Sequence, residues 1–128
     1  MNDLAHKLAI QELVARYNMA WDAEDPGGVS ACFTPTGVFV DVAGGEHAGR
    51  EAIEAFVRAS TEQFGRMRHI TSTHLVDFRG DSAALHRCYV VFVSHPHGER
   101  VLDTGAYEDQ VEFSDGNWLF ARRVVRFD

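Results

Sequence analysis

An aspartate and a tyrosine near the end of a predicted N-terminal helix are the first residues whose types could support chemistry. Tyr17 and Asp22 are five residues apart, which places them about 140° apart around a helix axis. They flank one cavity only if the helix end lies across the cavity mouth. Spacing alone favours an exposed acid at the helix end and a core aromatic. Trp21 shares the apolar stripe of Tyr17, so we expect it to contact any bound substrate.

A histidine at the start of a predicted strand is the candidate general base. His69 follows the segment 66–68, which contains two arginines, and its ordinary pKa of about 6.5 suits proton transfer near neutrality. A single histidine is more often simply a hydrogen-bonded structural residue. His95 and His97 lie in a predicted hairpin turn without a nearby cysteine or acidic ligand. We therefore interpret them as solvated and predict no metal site.

A third polar residue falls among apolar neighbours in the predicted strand 100–113. Strand alternation places Asp109 on the more apolar face, beside Tyr107. A buried acid there is either held neutral as a hydrogen-bond donor or ionised beside an arginine. Arg122 and Arg126 are the expected partners, because alternation along the last strand turns them to its apolar face. Both interpretations stay open.

The elements that must position these residues begin with helices. Apolar residues at helical spacing cover 3–24, where two stripes indicate a helix covered on more than one side, and 50–64, where one stripe is apolar. A short helix over 29–33, a turn at 34–37 and a strand over 38–42 are predicted between them.

The second half of the chain has the pattern of a sheet. From residue 69 onward the apolar period is two, and turn signals at 79–81, 95–98 and 114–117 separate four runs. This pattern predicts an antiparallel meander. Helices followed by strands indicate an α+β fold in which the helices pack on one face of the sheet around an apolar pocket.

Composition limits the classes of function. A chain of 128 residues corresponds to one domain, 1–128. A net charge of −7 without a long basic run disfavours nucleic acids as partners. The absence of a long apolar run argues against a membrane protein, and the mixed N-terminus lacks the pattern of a secretion signal, so we expect a cytoplasmic protein. Cys32 and Cys88 are far apart and match no disulfide framework, which indicates two buried thiols.

Four segments together resemble the SnoaL-like family. They are ARYNMAWDAED, AGREAIEAF, RHITSTHLVDFRGD and YEDQVEFSDGNWLFARRVVRFD. That family has the nuclear-transport-factor-two-like fold. The resemblance therefore implies a cone-shaped, strongly curved sheet, a cystatin-like α+β barrel, whose helices close a deep apolar pocket. It also implies assembly as a homodimer or trimer.

Within this fold, the sequence resembles the branch of scytalone dehydratase, bile-acid dehydratase and hexachlorocyclohexane dehydrochlorinase, which share an Asp–His pair. Asp22 and His69 match that pair, Tyr17 matches a tyrosine of the bile-acid enzyme, and Arg126 resembles its arginine near the chain end. The resemblance implies an elimination on a hydrophobic cyclic, polyketide-like or steroid-like substrate without metal or cofactor. His69 would take the proton, Asp22 would orient the imidazole, and Tyr17 would donate a hydrogen bond.

Three alternatives use the same fold differently. The segment DVAGGEHAG resembles the part of ketosteroid isomerase that contains its proton-shuttling aspartate, which would be Asp41, with Tyr17 and Asp109 as the oxyanion-binding pair. A polyketide cyclase would share the acid and base but take a longer substrate. A domain that only binds a ligand or a partner would keep Asp22 and His69 as a structural pair.

Overall fold

Residues 3–128 are described by the computed structural model, and within them the chain forms three helices and one six-stranded sheet. The elements in chain order are α1 (Asp3–Asp22), α2 (Pro26–Ser30), β1 (Phe33–Val40), β2 (Glu46–Ala48), α3 (Arg50–Phe64), β3 (Arg68–Phe78), β4 (Ala83–Ser94), β5 (Val101–Ser114) and β6 (Asn117–Phe127). The sheet order is β2-β1-β6-β5-β4-β3. The helices precede the four long strands, as predicted.

Strands β3 to β6 form the predicted antiparallel meander, in which each strand pairs with the next along the chain. β1 pairs with β6 in parallel, and β2 adds to the outer edge of β1 in the antiparallel direction. The curved sheet faces the helices with its inner side. The predicted α+β class, with N-terminal helices capping a curved sheet, is confirmed.

The short helix α2 begins three residues before its predicted start. The Asp25 side chain caps it by accepting a hydrogen bond from the Gly28 N–H at 3.0 Å, and Pro26 lies in its first turn. Aspartate is a preferred N-cap and proline a preferred first helical residue, so the segment read as a break is a helix start. The helix ends at Ser30 rather than at residue 33.

The predicted turn at 34–37 is instead part of strand β1. The pairing of β1 with β6 is irregular between Phe33 and Val38, and the intervening residues include Pro35, which cannot donate a ladder hydrogen bond. The turn residues therefore interrupt the strand without ending it. The short strand β2 was not predicted.

Helix α1 is covered on one side within the chain. Its buried apolar stripe consists of Ile10, Leu13, Val14, Tyr17 and Trp21. The second stripe is open, because Leu4, Leu8 and Met19 are 66%, 55% and 73% exposed, and the prediction of a second covered side was wrong. None of the described helices is long and apolar enough to cross a membrane.

An extra residue in β6 reverses which side chains face inward. Adjacent residues of β5 pair with Arg122 and Phe120, so Ala121 has no partner and forms a β-bulge. Phe120 is buried before the bulge, and Arg123 and Val125 are buried after it. The alternation that the sequence predicts for this strand therefore fails beyond Ala121.

A second bulge interrupts β3. Ser72 and Leu75 pair with β4, whereas the two residues between them do not. Thr73 has a φ of 61°, an unusual conformation for a β-branched residue. The bulge shifts the alternation by one residue and turns His74 toward the inner face of the sheet, where it contacts β4.

Candidate active site

A cavity of about 130 Å³ lies between the helices and the inner face of the sheet. Its wall is mostly aromatic and includes Tyr17, Trp21, Phe39, Phe56, Phe92 and Tyr107. Val42, Phe64 and Phe127 are partly exposed and form its mouth. An engineered apolar cavity of about 150 Å³ binds benzene, so this space suits a hydrophobic molecule with a ring of that size.

Asp22 and His69 are in direct contact at the edge of this cavity. His69 Nδ1 is 2.9 Å from Asp22 Oδ1, and the His69 backbone N–H donates to both carboxylate oxygens at 3.0 and 3.3 Å. Arg68 Nε lies 3.5 Å from Asp22 Oδ2. The end of α1 is therefore fixed to the start of β3 through one carboxylate, which is 17% exposed at its side chain.

This contact sets the proton positions of the imidazole. Since a carboxylate accepts hydrogen bonds, Nδ1 of His69 carries the hydrogen and Nε2 has the free lone pair. His69 lines the cavity, and its side chain is 2% exposed. A base oriented by a second residue is the arrangement that proton abstraction requires.

Burial also keeps His69 in its neutral form. Desolvation lowers the pKa of His69 below its ordinary value, although the hydrogen bond and the negative charge of Asp22 act in the opposite direction. The imidazole is therefore unprotonated at neutral pH and available as a base.

Tyr17 and Trp21 pack against the imidazole, so the two predicted residues of α1 reach the same cavity as His69. The Tyr17 ring meets the His69 ring edge to face at 6.3 Å between centroids, and the Trp21 ring lies at 5.4 Å from it. Tyr17 and Tyr107 are 5.8 Å apart, also edge to face. Burial raises the pKa of both phenols, with Arg123 lowering it in part, so both hydroxyls stay protonated and can donate hydrogen bonds.

Arg123 is a fully buried cation beneath these tyrosines and was not predicted. Its guanidinium carbon lies 4.2 Å from the Tyr17 ring centroid, 3.5 Å from that of Tyr107 and 4.4 Å from that of Phe120. Its charge is balanced by Asp109, whose Oδ1 is 3.2 Å from Arg123 Nε. The stacked cation holds the two phenol rings in place from below.

The family model described as a SnoaL-like domain matches residues 2–124 of the chain. The chain belongs to the SnoaL-like family. The resemblance seen in the four sequence segments is thereby confirmed. No curated protein sequence matches the chain.

Solved structures place this SnoaL-like domain among proteins of cystatin-like fold. Rv3472 from Mycobacterium tuberculosis, described as having unknown function, is 29% identical with a TM-score of 0.89, over 100% of this chain and 77% of that one. A proposed scytalone dehydratase from Novosphingobium aromaticivorans is 25% identical with a TM-score of 0.88, over 98% and 86%. A cystatin-like protein of unknown function from Nostoc punctiforme is 27% identical with a TM-score of 0.86, over 100% and 94%.

Asp41 lies at the cavity wall, but its carboxylate oxygens already accept hydrogen bonds from nearby groups. His47 Nε2 is 2.7 Å from Asp41 Oδ2, and the backbone N–H groups of Ala43 and Gly45 donate to Oδ1 at 2.8 and 3.0 Å. Partial burial raises the pKa of Asp41, but the hydrogen bonds from His47, Gly45 and Ala43 outweigh it and lower the pKa below its ordinary value. These donors make Asp41 a weak base.

Asp109 and Arg126 are not brought to the cavity. Asp109 is buried against Arg123. The prediction that Arg122 or Arg126 would be its partner was wrong. The bulge at Ala121 turns both of these arginines to the outer face of the sheet. Arg126 is exposed and lies 3.7 Å from Glu108 on the outer face of the sheet. Neither residue lines the cavity, although both were predicted to contact a substrate or stabilise its charge.

A buried polar row extends from Asp109 to the edge of the sheet. His86 Nδ1 is 2.7 Å from Asp109 Oδ2, and His86 Nε2 is 3.0 Å from His74 Nδ1. His86 and Asp109 are directly opposite each other in the pairing of β4 with β5. That register is the signal in the sequence that could have linked them, whereas His74 and Arg123 depend on bulges that the sequence pattern does not reveal.

Proposed function

We propose that the chain is a small-molecule lyase of the dehydratase type, acting on a hydrophobic cyclic, polyketide-like or steroid-like substrate, one ring of which enters the cavity. The observation that carries this proposal is the hydrogen bond between Asp22 and His69 at the wall of an apolar cavity. The similarity to a proposed scytalone dehydratase at 25% identity supports the same reaction class.

The proposed reaction is the loss of water from a β-hydroxy carbonyl compound. Nε2 of His69 takes the proton from the carbon next to the carbonyl, and Asp22 stabilises the imidazolium that forms. The Tyr17 hydroxyl donates a hydrogen bond to the carbonyl oxygen as it gains negative charge. The hydroxyl group then leaves the β-carbon, takes the proton from the imidazolium and departs as water. His69 is thereby returned to its neutral form.

Proton abstraction can be tested without knowing the natural substrate. Single-ring and fused-ring β-hydroxy ketones are incubated with the protein, and enone formation is followed by ultraviolet absorbance. In D₂O, solvent deuterium is expected at the carbon next to the carbonyl in the recovered substrate, where reprotonation competes with loss of water. His69→Gln, which keeps a polar side chain of similar size, should abolish both signals. Signals of equal size in the wild-type and His69→Gln proteins would refute His69 as the base.

The isomerase alternative has one observation in its favour, since Asp41 does line the cavity. In that reaction a proton moves between two carbons and no water is lost. Asp41→Asn should then abolish double-bond migration in a β,γ-unsaturated cyclic ketone, while His69→Gln should not. The lowered pKa of Asp41 and the ion pair of Asp109 with Arg123 favour the elimination.

We also propose that copies of the chain associate as a homodimer or trimer. The outer face of the sheet exposes a row of large apolar side chains that a second copy would cover. They are Ile70, Leu75, Leu85, Tyr89 and Leu102. Light scattering at micromolar concentration should give a mass above that of the 14.3 kDa chain, and Tyr89→Glu should reduce it. A monomeric wild-type protein would contradict this assembly.

A further inference from the structure

Three side chains of metal-binding types converge between β3 and β4, outside the candidate active site. One ring nitrogen each of His74 and His86 and the Sγ of Cys88 all lie within 4.8 Å of one another. None of the three lines the cavity that contains His69. We propose that His74, His86 and Cys88 form a binding site for a thiophilic divalent cation, with Zn²⁺ as the preferred ion.

The three donors are supplied by two hydrogen-bonded strands rather than by loops. His86 and Cys88 are separated by one residue on the buried face of β4. The bulge that contains His74 is flanked by Ser72 and Leu75, which pair with the two neighbours of Cys88 in β4. His74 thus lies opposite Cys88 on the neighbouring strand, and the two paired strands fix the backbone positions of all three residues.

Asp109 fixes the orientation of His86 that a metal ion requires. Its carboxylate accepts a hydrogen bond from His86 Nδ1 at 2.7 Å, so the free lone pair of His86 is on Nε2. That nitrogen faces His74 Nδ1 at 3.0 Å. Metal-bound histidines commonly donate their second ring N–H to a carboxylate, which selects the tautomer and aims the ring. Without an ion, His74 donates a hydrogen bond to the same lone pair.

The three donor atoms are near enough to one another to share one ion. Zn–N bonds of about 2.0–2.1 Å and Zn–S bonds of about 2.3 Å place the ligand atoms of a tetrahedral site roughly 3.3–3.6 Å apart. The three donor atoms lie within 4.8 Å of one another, so side-chain adjustments alone would complete the geometry. Two imidazoles and a thiolate favour zinc over magnesium or calcium, which prefer oxygen ligands.

The backbone around His74 is unusual in a way that serves this cluster. Thr73 has a φ of 61° in the bulge, a left-handed conformation that β-branched residues rarely adopt. Without the bulge, strand alternation would turn His74 away from His86 and Cys88. A strained bulge that re-aims a side chain is common beside functional sites.

The surrounding charges also permit a cation. The nearby guanidinium of Arg123 is already paired with Asp109, so these two buried groups are neutral together. Burial raises the pKa of the Cys88 thiol to about 11, so Zn²⁺ would displace its proton to solvent on binding, and the resulting thiolate would offset one of the two charges of the ion. His74 is only partly buried, which leaves its side open for a water molecule as the fourth ligand.

Cobalt binding tests this site, because Co²⁺ adopts the geometry of Zn²⁺ and absorbs visible light. The full chain, with its thiols reduced, is titrated with Co²⁺ and then with Zn²⁺. We expect one equivalent of Co²⁺ to give tetrahedral d–d bands and a near-ultraviolet thiolate-to-cobalt band, both removed by Zn²⁺. Failure to bind one equivalent at micromolar concentration would overturn the proposal.

Matched variants identify the ligands. Cys88→Ser should lose the thiolate band, whereas Cys32→Ser, which alters the other buried thiol, should keep it. His74→Ala should weaken binding by at least ~10-fold. A thiolate band that survives in Cys88→Ser, or undiminished affinity in His74→Ala, would refute the site. Since His74 is partly exposed, its variant remains informative if the Cys88 variant fails to fold.

The metal site and the proposed elimination can fail separately. His69→Ala should leave the cobalt spectrum unchanged, because His69 belongs to the cavity and is not among the three ligands. Cobalt binding without a thiolate band that persists in Cys88→Ser would place the ion elsewhere, for example at the turn with His95 and His97, and would overturn the proposal.

Discussion

Two histidine–aspartate pairs occur in this domain, and their surroundings give them different properties. Both imidazoles direct Nδ1 at a carboxylate, at 2.9 Å between His69 and Asp22 and at 2.7 Å between His86 and Asp109. At the cavity, no residue of the described chain occupies His69 Nε2 through a side-chain hydrogen bond, whereas His86 Nε2 is occupied by His74. The same pair therefore supports a base in one place and a structural or metal-binding contact in the other.

The carboxylates of the two pairs also differ in exposure and in the groups that they contact. Asp22 is partly exposed, its two oxygens share the backbone N–H of His69, and the exposed Arg68 lies 3.5 Å from its Oδ2. Asp109 is fully buried and requires the charge of Arg123. An aspartate–histidine contact alone is thus insufficient to identify a catalytic pair. The role of such a pair depends on the groups that the second ring nitrogen and the carboxylate contact.

The largest expected effect lies in the buried pair. Arg123→Met keeps much of the side-chain volume but leaves the Asp109 carboxylate buried without a cation, which should destabilise the protein by about 3–5 kcal/mol. Chemical denaturation of the wild-type and variant proteins measures this difference. Adding Asp109→Leu to Arg123→Met should recover part of the loss. A cost below about 1 kcal/mol would show that the ion pair is not a structural requirement.

The cavity pair should affect turnover more than stability. Asp22→Asn and His69→Ala should each reduce kcat/KM by at least ~10²-fold, because a positioned base contributes about 10²–10⁴-fold. The double variant should be little worse than either single variant, since a base and its orienting residue act as a unit. Circular dichroism checks that the fold is retained. Additive losses of kcat/KM would show that Asp22 and His69 act independently, so that the cavity pair is not a catalytic unit.

The pH dependence of the reaction should reflect the buried imidazole. Since burial lowers the pKa of His69, kcat/KM should be full near neutrality and fall as the pH drops through a midpoint below about 6.5. Asp22 raises that pKa, so Asp22→Asn should move the midpoint to lower pH. A midpoint above 6.5, or a shift to higher pH in the variant, would contradict His69 as the titrating base.

The smallest effect concerns the phenol beside the base. Tyr17→Phe removes one hydroxyl and keeps the ring that packs on His69 and Arg123. A neutral hydrogen bond contributes about 0.5–1.5 kcal/mol, so kcat/KM should fall by up to ~10-fold with little change in KM. A loss equal to that of His69→Ala would instead make Tyr17 an essential proton donor.

The sequence predicts where the helices and strands lie better than it predicts which side chains of a strand face inward. The apolar period predicts α3 with the bounds that the structure has and predicts the four strands of the meander, because one buried face imposes a regular pattern. One additional residue at Ala121 reverses the inward face of β6. For this reason Arg122 and Arg126 were expected to pair with Asp109, and Arg123, the buried cation, was overlooked.

The candidate site was predictable only in part, for a related reason. Spacing within α1 could not bring Asp22 to a cavity, and the contact with His69 depends on where β3 begins relative to the helix end. The family resemblance supplied that long-range information. His74 was inaccessible to both approaches, since it faces inward only because of the strained bulge at Thr73.

The parallel pairing of β1 with β6 also affects how the chain folds during synthesis. Phe33 and Phe39, buried residues of the first strand, are joined to the four-stranded meander only when β6 has been made, after every other helix and strand described here. Contacts between such distant segments slow folding and leave apolar strand surface exposed on the ribosome. The strand that completes the cavity wall is thus the last to emerge, and ligand binding must wait for it.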